Sequence, residues 1–249
     1  FSILAVMAEA QKYGLGFDLV DDLTGSKLGR AKSATFRTAD VVGLDTMAHV
    51  IKTMEDNLKD DPFAANYPVP PVLKALVEKG ALGQKSGAGF YRKEGKEIKV
   101  LDATKGEYVT GGAKADELVA RILKKPAAER FKLLRETDHP QAQFLWSIFR
   151  DVFHYIAVHL ESIADNARDV DFAIRWGFGW NEGPFETWQA AGWKEIAGWI
   201  AEDIAAGKTL SNAPLPAWVN EIDGVHMTEG SYCPEKYAFV APCRLTGVH

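Results

Sequence analysis

One run constrains this chain more than any other. Opened by Pro140, it reads QAQFLWSIFRDVFHYIAVHLESIA through Ala164. Apolar side chains fall on nearly every face of such a helix. A helix that is apolar all round has to be buried among other elements. The run therefore predicts a long central helix and, with it, a fold built mainly of packed helices.

The remaining segments agree. FSILAVMAEAQKY, from Phe1 to about Tyr13, reads as a buried helix closed by Gly14 and Gly16. DLVDDLTGSKLGR reads as a short helix broken at Gly25. After Thr38-Ala39-Asp40 comes VVGLDTMAHVIKTMEDNL, with Val41, Leu44, Met47, Val50, Ile51 and Met54 at helical spacing and Asp45, Lys52, Glu55 and Asp56 on the polar side. Pro70-Pro71 starts a helix that Gly80 ends. LGQKSGAGFYRKEGKEIKVLDATKGEYV is glycine-rich and then alternates around Glu94-Gly95 and Lys105-Gly106, which predicts a loop and a small β-hairpin. Two short helices separated at Pro126 precede the long one. DVDFAIRWG, FETWQAAG and WKEIAGWIAEDIAAG follow it as three more helices. Past Gly207 the prolines at 214, 216, 234 and 242 make the chain read as irregular, a linker or the start of another domain.

Composition excludes several classes. Hydrophobic residues make up 47% and charged residues 25%, as in globular domains rather than disordered ones. A net charge of -5 argues against a nucleic-acid partner. No run of about 18 apolar residues exists, so no membrane span is expected. Cys233 and Cys243 are too few for a disulfide framework and form no CxxC; two free thiols in a reducing cytoplasm are expected, with a single short-loop disulfide as the alternative. Phe1 falls inside a helix, and APCRLTGVH carries no stop signal, so the chain is expected to be a piece of something longer.

The two halves echo one another. An offset of 149 residues aligns Asp22 with Asp171, Phe36 with Phe185, Thr38 with Thr187 and Gly43 with Gly192. Each half carries a long apolar helix, a short helix with an acidic start, a loop and a Phe-led helix. A duplicated helical module is expected.

Three segments carry a family resemblance. NEGPFETWQAAGW (Asn181–Trp193) resembles the "GPFE" helix of the 3-hydroxyacyl-CoA dehydrogenase C-terminal domain. ADVVGLDT (Ala39–Thr46) resembles that family's D-x-x-G-L-D-T helix, and LGQKSGAGFYRK (Leu82–Lys93) its G-x-K-x-G-x-G-F-Y segment. GRAKSATFRTADVVGLDTMAHV resembles the bacterial branch in which a C-terminal enoyl-CoA hydratase domain is fused on. The resemblance covers about residues 1–200. It implies an all-α fold of two related modules, like the C-terminal part of 6-phosphogluconate dehydrogenase, with the β-hairpin between them. The modules would be 1–112 and 113–206, with 207–249 a linker toward an absent hydratase domain. It also implies a parent enzyme in the cytoplasm, a homodimer, that oxidises 3-hydroxyacyl-CoA in fatty-acid β-oxidation. In the parent a Rossmann domain binds NAD and supplies a His-Glu base, because the hydroxyl proton must leave with the hydride. A catalytic Asn stands at the start of the first helix of the helical part.

None of that catalytic set transfers. No G-x-G-x-x-G opens a βαβ unit, and Gly87-Ala88-Gly89 has the wrong context. Phe1 begins just beyond the place of the Asn, and Asn166 and Asn181 do not match it. The chain alone is expected to bind no NAD or metal and to be inactive. What remains is the loop RAKSATF (Arg30–Phe36), which departs from the family's G-Y-P-M-G-P-F. The family's loop borders the acyl part of the cleft, so Lys32, Ser33 and Ala34 are the candidate substrate-facing residues. Ser33 or Thr35 would also serve as a helix cap ahead of Phe36.

Other features have plainer readings. Asp45 is expected to bond locally with Thr46, and Glu186 to sit at a positive helix end. His49, His154 and His159 lack metal spacing and read as packed or surface residues. Lys85, Arg92, Lys93 and Lys96 form a solvated basic face or a contact for CoA phosphates. The glycines at 83, 87 and 89 more readily allow a tight backbone path than cradle a phosphate. The tryptophans of the second half read as core. Two other functions fit the same features: a non-catalytic helical scaffold or acyl-CoA-binding protein, and the helical domain of a sister hydroxy-acid dehydrogenase.

Overall fold

The computed structural model describes residues 1–241. They pack as two compact units: Phe1–Lys125 with Lys132–Phe149, and Pro126–Phe131 with the residues from Arg150 onward. In the first unit lie α1 (Ser2–Lys12), α2 (Phe17–Thr24), α3 (Phe36–Val42), α4 (Leu44–Asn57) and α5 (Pro71–Glu78). Strands β1 (Tyr91–Glu94), β2 (Glu97–Asp102) and β3 (Glu107–Thr110) and helix α6 (Glu117–Ile122) complete it. Helices α7 (Ala127–Glu136) and α8 (Pro140–Ile163) contribute to both units. The second unit adds α9 (Ala167–Phe178), α10 (Pro184–Ala205), α11 (Trp218–Glu221), β4 (His226–Met227), β5 (Gly230–Cys233) and β6 (Ala238–Val240).

The long helix is present as α8, with Phe144, Leu145, Phe153 and Leu160 fully buried. The fold is mostly helical, as expected. The hairpin is larger than expected: both turns form, giving an antiparallel sheet in the order β1-β2-β3, with Tyr91 opposite Val100 and Val100 opposite Val109.

The segment expected as one helix from Val41 onward is two. Gly43, at φ +102, ends α3 and admits a sharp change of direction into α4, a conformation that L side chains resist. Val41 and Val50 consequently stay on the surface. Gly192 does the same inside α10, at φ +108. The sequence offset of 149 thus links two glycines with the same unusual backbone.

Residues 207–241, expected as an irregular linker, fold as α11 and an antiparallel sheet in the order β4-β5-β6. Val219 and Val225 are fully buried there. The reason is aromatic. Trp188 and Trp193 stack 4.1 Å apart, Trp193 lies 6.1 Å from Trp218, and Trp218 stacks on Tyr232 at 5.1 Å. The Trp193 indole N–H donates to the Val219 carbonyl at 2.8 Å. Aromatic side chains of this size carry enough apolar area to fasten a proline-rich segment. Cys233 is a buried free thiol. Cys243, and with it the alternative of a disulfide, lies outside the described residues.

Candidate functional site

Lys32, Ser33 and Ala34 lie together in a turn ahead of α3. Lys32 is exposed, while Ser33 and Ala34 are half-buried. Ala34 has φ +51, a left-handed conformation that costs a residue with a Cβ about 1–2 kcal/mol. The surroundings hold it there. The Thr38 hydroxyl donates to the Ala34 carbonyl at 2.6 Å and pairs with the Ser33 hydroxyl at 2.7 Å. The Thr35 hydroxyl pairs with that of Thr24 at 2.8 Å.

Neither Ser33 nor Thr35 caps α3. The cap is Asp21, from the preceding helix. Its Oδ1 accepts the backbone N–H groups of Thr35 at 3.0 Å and Phe36 at 2.7 Å, and its Oδ2 accepts that of Arg37 at 3.0 Å. The Tyr91 hydroxyl donates to the same Oδ2 at 2.7 Å. Burial outweighs these four donors and raises the Asp21 carboxyl to about 6. Burial and the neighbouring Asp21 charge push the Tyr91 phenol up as well. Tyr91 is placed by its own backbone: the amides of Phe90 and Tyr91 donate to the two oxygens of Asp40, each at 2.9 Å. Phe17, Phe36 and Phe90 meet edge-on or tilted within 4.8 Å beneath this network. One carboxylate thus joins the start of α3, the glycine-rich segment and the candidate loop.

The second unit repeats the device. Asp171 accepts from the backbone of Phe185 at 2.8 Å and Glu186 at 3.0 Å, and bonds His226 Nε2 at 2.6 Å. His226 is held as Tyr91 is, because Gln189 Oε1 accepts from the backbone of Val225 at 2.8 Å and His226 at 2.9 Å. Phe36 and Phe185, and Asp40 and Gln189, share the offset of 149 residues; the capping aspartate of the first unit, however, is Asp21 and not the aligned Asp22. Asp22 instead accepts from Ala115 N and pairs with Lys27. The counterparts of Lys32, Ser33, Ala34 and Thr35 are Asn181, Glu182, Gly183 and Pro184. Sequence reasoning missed Asp21 and His226, and held Tyr91 only as the end of the G-x-G-F-Y segment, because their bonds reach far along the chain.

The remaining candidates are structural. Asp45 forms an ion pair with Lys85 at 2.6 Å in addition to its bond with Thr46, and Lys85 holds it below the usual carboxylate range. Glu186 accepts from Gly183 N at 3.2 Å and pairs with Arg175 at 3.1 Å, as its place at a helix start suggests. Arg92 bonds Glu94 and lies 4.3 Å from the Tyr108 ring centre, while Lys85, Lys93 and Lys96 are exposed. His154 is buried and bonds the Ala213 carbonyl at 2.7 Å, His49 is exposed, and His159 lies against Tyr155. Among the described residues no group of three His, Cys, Asp or Glu side chains is placed to hold a metal. Trp188 and Trp193 are core, but Trp176 is 78% exposed. The glycine segment leads into β1 and opens no α-helix whose N-terminus could receive a dinucleotide phosphate. A Cβ on Gly83 would meet Asp40 backbone atoms at 2.9 Å and one on Gly89 the Asp40 Cγ at 2.7 Å, so these two glycines serve a close backbone approach. Among the described residues no helix is long and apolar enough to cross a membrane.

Comparison with known proteins places these features in context. Residues 4–93 match the family model of the 3-hydroxyacyl-CoA dehydrogenase, C-terminal domain. The chain is 38% identical over 225 residues to a "Probable 3-hydroxyacyl-CoA dehydrogenase" of Bacillus subtilis, an alignment that covers 89% of this chain and 27% of the relative. A protein of the same description from Deinococcus radiodurans is 45% identical over 93 residues, 37% of this chain and 26% of the relative. A "Putative fatty acid oxidation complex trifunctional enzyme" of Rickettsia felis is 26% identical over 222 residues, 88% of this chain and 29% of the relative. The chain therefore spans between 26% and 29% of the length of these three relatives. Its helical fold and residues 4–93 are similar to the C-terminal domain of 3-hydroxyacyl-CoA dehydrogenases.

Proposed function

We propose that this chain is the helical part of an NAD-dependent 3-hydroxyacyl-CoA dehydrogenase of fatty-acid β-oxidation. Its role is to close one side of the acyl-CoA cleft and to form the homodimer contact. The observation that carries this reading is the 3-hydroxyacyl-CoA dehydrogenase C-terminal match over residues 4–93, reinforced by a 225-residue alignment to a protein of that description. The nucleotide site and the His-Glu base belong to a Rossmann domain outside this chain, in a cytoplasmic parent protein. The residues present here do not form a nucleotide site, so no chemical step is assigned to them. Lys32, Ser33 and Ala34 face the substrate and shape its site, and the chain alone is inactive. The trifunctional description of the rickettsial relative supports a multifunctional parent; a downstream enoyl-CoA hydratase domain in that parent is part of this proposal.

The test is to sequence the coding DNA upstream of Phe1. A dinucleotide-binding fingerprint, a His-Glu pair and an Asn just ahead of Phe1 are expected. A start codon close to Phe1 with nothing before it would overturn the enzyme reading in favour of a scaffold or acyl-CoA-binding protein.

A further inference from the structure

We propose that Tyr91 is a positioning residue for acyl-CoA: acting through Asp21, its hydroxyl sets the shape of the Lys32–Ala34 loop. This rests on the functional reading above and gives a role to the tyrosine that ends the G-x-G-F-Y segment.

The geometry runs in one direction. Asp40 fixes the backbone of Phe90 and Tyr91, and the Tyr91 hydroxyl then reaches Asp21 at 2.7 Å. Asp21 in turn fixes the amides of Thr35, Phe36 and Arg37, the residues that follow the loop immediately. The loop needs such a clamp, because Ala34 occupies a left-handed conformation at φ +51 that its own side chain disfavours. The second unit sharpens the point. Its counterpart of Ala34 is Gly183, at φ -76, so no such strain has to be held there. Its next residue is Pro184, which has no N–H to offer, and Asp171 accepts two backbone bonds where Asp21 accepts three. Thr35 in the first unit supplies the extra N–H. The first loop is thus clamped more tightly, in a strained form, and displays a lysine where the second displays Asn181.

The two units meet the same need with different groups. The Tyr91 hydroxyl donates to Asp21 at 2.7 Å, and His226 Nε2 bonds Asp171 at 2.6 Å. A phenylalanine in place of Tyr91 has no group to donate.

The experiment examines Tyr91→Phe in two readouts. In the 249-residue chain, amide exchange at Thr35, Phe36 and Arg37 is expected to quicken about tenfold. In the full-length protein that carries this chain, Tyr91→Phe is expected to raise KM for a 3-hydroxyacyl-CoA about fivefold to tenfold, with kcat and the KM for NAD unchanged. An unchanged acyl-CoA KM in a working Tyr91→Phe enzyme whose loop amides exchange faster would overturn the positioning role and leave the functional reading standing. A full-length protein with no 3-hydroxyacyl-CoA turnover at all would overturn both, whatever the exchange rates show. A kcat loss without a KM change would also overturn the proposal.

Discussion

The glycines of the Gly83–Gly89 segment should not be equivalent, and the difference measures how that segment works. Gly87 is exposed, with φ +80 and open space where a Cβ would stand. Replacing it with Ala costs the left-handed strain alone, about 1–2 kcal/mol. Gly89 is buried, and a Cβ there would overlap the Asp40 carboxylate, 2.7 Å from its Cγ and from the Gly83 Cα. Overpacking alone costs about 1–3 kcal/mol. The carboxylate must also move, and it holds the Phe90 and Tyr91 amides, each at 2.9 Å. Hydrogen bonds to a buried charge are worth about 1.5–3 kcal/mol each. Gly89→Ala should therefore destabilise the first unit by at least ~3 kcal/mol, and Gly87→Ala by no more than ~2 kcal/mol. Urea unfolding followed by amide exchange within residues 1–125 reads this without interference from the second unit. Equal losses, or a milder effect at Gly89, would refute the claim that Gly89 serves a close backbone approach to Asp40.

Three further outcomes follow from the same bonds. The Asp21 carboxyl is raised from 3.8 to about 6 in the folded state. A raised pKa adds stability that is complete below the unfolded value and is lost as pH rises through the folded one. The first unit should accordingly lose about 3 kcal/mol between roughly pH 4 and pH 6; Asp21→Asn should flatten that slope in pH-dependent unfolding, and an unchanged slope would contradict it. His226→Phe removes the donor to the fully buried Asp171 and should cost about 1.5–3 kcal/mol, with faster amide exchange across β4–β6 and none of that change within residues 1–125. Asp203→Ala leaves the buried Arg150 guanidinium without the partner now at 3.1 Å, and should cost the second unit about 3 kcal/mol or more in thermal unfolding.

What could be read from the sequence was what depends on near neighbours. The 24-residue α8 followed from its apolar run, α5 from Pro71 at its start, and the turns of the first sheet from Glu94-Gly95 and Lys105-Gly106. The likeness of the two halves was legible at Phe36 and Phe185, and Gly43 and Gly192 share the same unusual backbone. The capping aspartate was not. Rules for helix caps look a few residues back, and so pointed to Ser33 and Thr35, whereas Asp21 bonds 14 to 16 residues away. The segment after Gly207 misled for a related reason. Its prolines suggest no regular structure, but Trp218 and Tyr232 extend an aromatic stack begun by Trp188 and Trp193. Nothing local shows that Gln189 will hold Val225 and His226, 36 and 37 residues on.

The most direct measurement is NADH oxidation with acetoacetyl-CoA, run on the pure 249-residue chain and on the full-length protein that carries it. Turnover by the full-length protein and none by the chain is the predicted result. Clear turnover by the chain alone, or a full-length protein that accepts free hydroxy acids but no acyl-CoA, would contradict the account.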